Sequence, residues 1–182
     1  MLALLDVQGC LLTMDAIGCQ KSVTQAIAIA GAGVDYLLAL KSNQPALQQA
    51  VEAAFAATAS AETTTTTGEK PTYGRVETRT CRVLPADYLP TVLRGPEWIG
   101  LHTLRVATTE IQYYLSSRRA SAAVFQGYVR RHWGIENRLH WMLDVIFGED
   151  HSRKRADHVA ANCAIICKFV LNLLRAQPKP RA

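Results

Sequence analysis

Apolar and polar positions along the first 60 residues change period in a regular way. Residues 11–14 form a short apolar run that ends at Asp15, with Gly18 just beyond. That pattern predicts a buried strand carrying an acid at its carboxyl end. Over residues 20–30 the positions Val23, Ile27 and Ala30 recur at helical spacing, and Gly31 and Gly33 stop the helix. Residues 35–40 read as a second strand, closed by Lys41, Ser42, Asn43 and Pro45. Strand, helix and strand with short joints predict a βαβ unit with parallel strands and a right-handed crossover. Open α/β sheets bind ligands beyond the carboxyl ends of their strands, which makes Asp15 a candidate site residue. The competing reading of Asp15 is a helix N-cap or a turn acid.

Farther on, residues 47–57 predict an Ala-rich amphipathic helix. Residues 58–68, with five consecutive threonines, predict a low-complexity loop. Residues 75–84 alternate as a half-exposed strand does, and 85–96 are loop-like. Residues 98–109 and 112–115 carry the β-branched and aromatic residues of two more strands. Helical spacing then returns over 120–128, 131–147 and 156–174, before a Pro-Lys-Pro tail. The order divides the chain into an α/β segment over 1–57, a β-rich segment over 58–117, a helical segment over 118–175 and a tail over 176–182. No internal repeat interrupts it.

Candidate chemistry concentrates in residues 127–155. This stretch holds five arginines, one lysine, two tryptophans and three histidines, and between residues 127 and 143 its only carboxylate is Glu136. Positions four apart share a helix face, so His132, Glu136 and His140 are expected in one column, with Trp133 and Trp141 beside it. A helical zinc site is excluded, because the two histidines are eight residues apart, about 12 Å along the axis at the helical rise. An acid in cationic and aromatic surroundings suits the handling of phosphates with a metal. The bland alternative is a solvated ion pair on a surface helix, with tryptophans serving the core.

Charge sharpens this. Residues 1–117 carry eight Lys/Arg and ten Asp/Glu, a net −2, whereas residues 118–182 carry twelve and five, a net +7. A positive field gathered in one segment attracts polyanions through phosphate contacts and counterion release. The five cysteines are odd in number and contain no CxxC pair, so neither a disulfide framework nor a structural zinc site is expected, and a reducing cytoplasm is. The opening MLALLDVQG meets an acid at Asp6 and has no basic leader, unlike a secretory signal. The apolar run over 163–174 is broken by Lys168 and Asn172 and is shorter than the roughly 20 residues that a bilayer requires, so no membrane role is expected.

The strings TMDAIGCQK, DYLLALKSNQ, GRVETR and YYLSS, and above all RRHWGIENRLHWMLDV with a following ED, R and LNLLR, resemble the DDE-type insertion-sequence transposases. The similar subgroup is that of the H-repeat-associated proteins. The resemblance runs through nearly the whole chain in the family's order. It implies an RNase H-like domain, here partial, with a β-rich insertion between the second catalytic Asp and the helix of the catalytic Glu. Asp15 matches that second Asp and Glu136 the Glu, and both are implied ligands of magnesium or manganese. Tyr128, Arg131 and Glu136 correspond loosely to the family's Tyr–Arg–Glu–Lys helix, but Leu143 stands where its lysine would be. Implied DNA contacts are Arg130, Arg131, His132, Trp133, Arg138, Arg153, Lys154 and Arg155, and the implied partner is the DNA at an insertion element's ends.

The departures are equally specific. Family members are about twice as long, their first catalytic Asp lies upstream of everything present here, and Asp6 is too close to Asp15 to replace it. The expectation is a truncated transposase, cytoplasmic and inactive alone, acting as a homodimer or paired with a separately encoded N-terminal half. The alternatives are a non-catalytic DNA-binding remnant and a pseudogene product.

Overall fold

The computed structural model describes residues 6–30, 33–59, 61–70, 75–108, 111–153 and 156–177. The chain divides into two units, Met1–Val129 and Arg130–Ala182. The first unit is built on one six-stranded sheet in the order β1-β2-β6-β5-β4-β3. Its strands are β1 (Leu11–Met14), β2 (Asp35–Leu40), β3 (Glu62–Lys70), β4 (Arg75–Pro85), β5 (Thr103–Thr108) and β6 (Ile111–Ser116). β1 and β2 are parallel, with Leu11 opposite Asp35 and Met14 opposite Leu38. Every other pairing is antiparallel. The expected βαβ unit is present: α1 (Lys21–Ala30) connects β1 to β2, and α2 (Pro45–Ala57) follows with proline in its first turn, where the missing N–H costs nothing.

The sheet is covered on both faces, and the alternation of β2 explains how. Tyr36, Leu38 and Leu40 pack with Ile27 of α1 and with Leu47, Val51 and Phe55 of α2. Leu37 and Ala39 face the other way, onto Ala122 and Phe125 of α3 (Ala122–Ile135). A strand buried on both faces reads as a continuous apolar run, as DYLLAL does. The strings YYLSS and DYLLAL prove to be neighbours. Ser116 Oγ donates to the Tyr36 carbonyl at 2.7 Å, and Ser117 Oγ accepts from the Tyr36 N–H at 2.9 Å while donating to Asp35 Oδ1 at 2.8 Å.

Two expectations change. The threonine run is strand β3, paired residue for residue with β4, and Thr65 and Thr80 hydroxyls meet at 3.1 Å. Threonine's branched side chain favours a pleated surface, and this outweighs the low complexity of the run. The strands of the β-rich segment continue the same sheet, with β6 pairing directly with β2 and β3–β5 following from it. Trp98 precedes β5 instead of belonging to it, and is buried in the α1/α2 core. Beneath α3, the buried Arg105 guanidinium lies 4.9 Å over the Tyr114 ring and donates from Nε to Cys81 Sγ at 3.0 Å.

Helix α3 runs from the first unit into the second without the expected break near Tyr128. It is followed by two π-helical turns, Glu136–His140 and Met142–Ile146, and then by α4 (Val159–Ala176). α4 has 18 residues, longer than the apolar run expected from the sequence, and is long and apolar enough to cross a membrane by length and composition. It buries Leu171, while Ile165, Ile166, Phe169, Leu173 and Leu174 are exposed.

Candidate metal and nucleic-acid site

Asp15 stands directly after β1, on the parallel pair's carboxyl end, where the sequence placed it. Its backbone is extended, and a 3-10 turn over Ala16–Gly18 follows, closed by the Gly18 N–H on the Asp15 carbonyl at 2.8 Å. Asp15 stands at the N-cap position of that turn, but its carboxylate makes no cap hydrogen bond to it. Gly18 is required for the tightness of the turn, because a Cβ there would lie 2.8 Å from the Met14 Cβ. Lys41, the first residue beyond β2, brings its Nζ to 3.3 Å from Asp15 Oδ1, and both side chains are about half exposed, at 51% and 53%.

The loop that carries Lys41 is fastened to the loop that carries Asp15. Asn43 Nδ2 donates to the Ala16 carbonyl at 2.7 Å, and Gln44 Nε2 donates to the Cys19 carbonyl at 3.2 Å. Sequence reasoning took Lys41, Ser42 and Asn43 for the punctuation of a strand end. Their signal was present all the same: a cation and two amides follow the strand that lies beside the acid. Cys19, under this loop, is fully buried, and burial pushes its thiol up from 9.0 to about 12. It is therefore a neutral, buried core thiol near neutral pH.

Glu136 belongs to the second unit, at the first position of the π turn Glu136–His140. Its carboxylate lies outside the described atoms. The column expected of His132, Glu136 and His140 is altered, since α3 ends at Ile135 and a π turn bonds five residues apart instead of four. Such turns are frequent at functional sites. Arg130, Arg131 and Arg138 are exposed, as is Arg153, while Lys154 and Arg155 lie outside the described residues. The His132 and Trp133 rings meet edge to face at 5.6 Å, and Trp133 and Trp141 are both partly exposed. The Arg138 carbonyl accepts from Arg175 Nη2 of α4, a cation at a helix C-terminus that suits the dipole. Leu143, in the second π turn, is buried. Among the described residues, no three His, Cys, Asp or Glu side chains are grouped to hold a metal.

Residues 1–173 match a family described as the transposase DDE domain. The chain is 37% identical to the Escherichia coli O157:H7 protein "Putative transposase YncI", over 96% of this chain and 48% of that protein. It is 32% identical to "H repeat-associated putative transposase YhhI" of Escherichia coli K12, over 96% of this chain and 50% of the relative. A Xanthobacter autotrophicus protein, "Uncharacterized protein in dhlA 3'region", is 40% identical over 57% of this chain and 34% of its own length. The chain spans about half the length of the curated relatives it matches first. No solved structure matches it.

Proposed function

From the premise that this chain belongs to the DDE transposase family, we propose that it carries two of the three catalytic carboxylates of an RNase H-like transposase, on Asp15 and Glu136, together with a basic DNA-binding helix. The observation that carries this reading is Asp15 itself, an acid at the carboxyl end of a parallel strand pair within a family-matched segment. A half-exposed carboxylate whose ion-pair partner is an equally exposed lysine is open to exchange for a hard cation. Magnesium or manganese, when bound, would activate an attacking oxygen and stabilise a leaving one in phosphoryl displacement.

The chain's own residues hold and orient. Asp15 and Glu136 offer hard oxygen ligands, the chemistry magnesium prefers over histidine or thiol. Arg130, Arg131 and Arg138, all exposed, with Arg153, Lys154 and Arg155, hold DNA phosphates, Arg doing so in bidentate fashion. His132 and Trp133 lie against a base near the cut. The DNA is that of an insertion element's ends, met in the cytoplasm. The 182 residues supply two carboxylates of the catalytic set, so they are expected to bind DNA without cutting it unless the remaining acid is brought to them.

The test is a strand-cleavage and retardation assay on duplexes carrying an insertion element's ends, with magnesium and then manganese. Weak, salt-sensitive retardation without cleavage is expected. Cleavage that needs the metal and disappears in Glu136→Gln would overturn the inactivity and place the third acid within this chain. No retardation even at low salt would remove the DNA-binding reading.

A further inference from the structure

We infer that Lys41 has a double duty at the proposed metal site: it holds the Asp15 carboxylate while no cation is bound, and contacts a DNA phosphate once a cation takes Asp15. The inference rests on the metal-binding role proposed for Asp15 and goes beyond it in assigning a second residue. Three features of the first unit carry it. Lys41 Nζ is 3.3 Å from Asp15 Oδ1. The two residues leave the carboxyl ends of adjacent parallel strands, β2 and β1. Their loops are tied by Asn43 on the Ala16 carbonyl and Gln44 on the Cys19 carbonyl, which fixes the lysine's backbone beside the acid.

An ion pair half open to water contributes little to stability, so this pairing is poorly explained as a fold requirement. Its chemistry is more informative. An ammonium group and a divalent cation compete for the same carboxylate oxygen. A metal on Asp15 therefore releases Nζ while the tied loops keep its backbone in place. A lysine on a flexible stem is a mobile point charge that suits a phosphate. A phosphate drawn to the metal would enter that reach.

The experiment uses the full chain with Lys41→Met and Lys41→Arg; an exposed side chain tolerates both, and amide spectra verify the fold. Manganese alone is titrated, and paramagnetic broadening is read at the amides of Ala16, Ile17 and Gly18. Duplex DNA affinity is then measured against KCl, with and without magnesium. Lys41→Met is expected to tighten manganese binding about two- to fivefold, the size of one exposed pair. With magnesium present, it should lower the salt slope by about one, the mark of one lost phosphate contact. Without magnesium it should bind DNA as the parent does, and Lys41→Arg should keep the parent slope. Equal manganese affinity in the parent and Lys41→Met, or equal salt slopes with magnesium, would overturn the inference while Asp15 keeps its metal. No broadening in the parent would overturn both the inference and the metal-binding role of Asp15.

Discussion

Helices α2 and α4 are both rich in alanine and large apolar residues, yet the two units use them in opposite ways. α2, with 13 residues, buries Leu47, Val51, Ala54 and Phe55 against the sheet. α4, with 18, buries Leu171 and leaves Ile165, Ile166, Phe169, Leu173 and Leu174 exposed. The first unit thus has a core closed on both sheet faces. In the second, α4 has the composition of a core helix, yet most of its described large apolar side chains are exposed. A helix apolar nearly all round belongs in a protein interior or a membrane. The difference teaches that burial and charge are distributed unequally: the first unit's core holds the sheet, and the second unit carries the net positive charge and the exposed apolar face of α4.

The largest effect should come from the closed side. Leu38 is fully buried on β2 under α1 and α2, and Phe125 is fully buried under the other face. Truncating either to alanine leaves a cavity in a packed layer. Leu38→Ala should cost about 2–5 kcal/mol and Phe125→Ala about 3–5 kcal/mol. Urea unfolding followed by circular dichroism measures both. A loss under 1 kcal/mol at either position would mean that the corresponding face is looser than its burial implies.

The same inequality governs how much the sequence disclosed. Where burial sets the pattern, the reading held: LLTM, the helix after it, DYLLAL and α2 stand within a few residues of their expected places. The threonine run failed because composition was weighed over the branched side chain, and a strand that pairs with one 15 residues away announces itself only through its partner. The π turn at Glu136 also escaped, since the residues fit a regular α-helical period and only backbone hydrogen bonding distinguishes the two. The position of Asp15 after a strand was legible in the sequence, whereas its pairing with Lys41 was not, because a pair between residues 26 apart needs the parallel register to exist. Family strings supplied the pairing of Asp15 with Glu136, which no local pattern connects.

A second prediction acts on the charged side of the comparison. Arg130, Arg131 and Arg138 are exposed on α3 and the π turn. Reversing all three to glutamate should remove most duplex affinity. It should flatten the dependence on salt by about three contacts' worth, each contact giving a slope near 0.9. The first unit's unfolding should be unchanged, as surface substitutions typically stay within about 0.5 kcal/mol. Fluorescence anisotropy across a KCl series reads the first effect and urea unfolding the second. An unaltered slope would move the DNA contact away from this helix.

A smaller effect, confined to alkaline pH, belongs to the first unit's core. Burial pushes the Cys19 thiol from 9.0 up to about 12. Burial likewise raises the Tyr36 phenol, with the nearby Cys19 and Asp35 adding to it. Both groups are neutral when protonated, so the folded state keeps protons that the unfolded chain releases first. Their stabilisation is complete below about pH 9 and is lost as pH climbs towards 12. Melting temperature should therefore fall across that window. Cys19→Ala should make the fall shallower without removing it, because Tyr36 remains. An equally steep fall in the variant would mean that the thiol titrates as a solvated group.

The smallest effect is expected on the face of α4. Phe169 is 63% exposed, with Ile165 and Leu173 four residues to either side of it and exposed as well. These three form one apolar stripe at helical spacing. Replacing Phe169 by serine removes a large apolar ring from water and leaves no cavity, so the loss in unfolding free energy should stay within about 0.5 kcal/mol. Helix propensity works weakly in the same direction, since serine and phenylalanine rank close together. What should change is association: removing the ring from an exposed apolar stripe reduces the surface that drives self-association. Light scattering at rising concentration should show fewer aggregates for Phe169→Ser than for the parent. A cost of 2 kcal/mol or more would reverse the contrast with α2, because only a ring covered in solution loses that much on truncation.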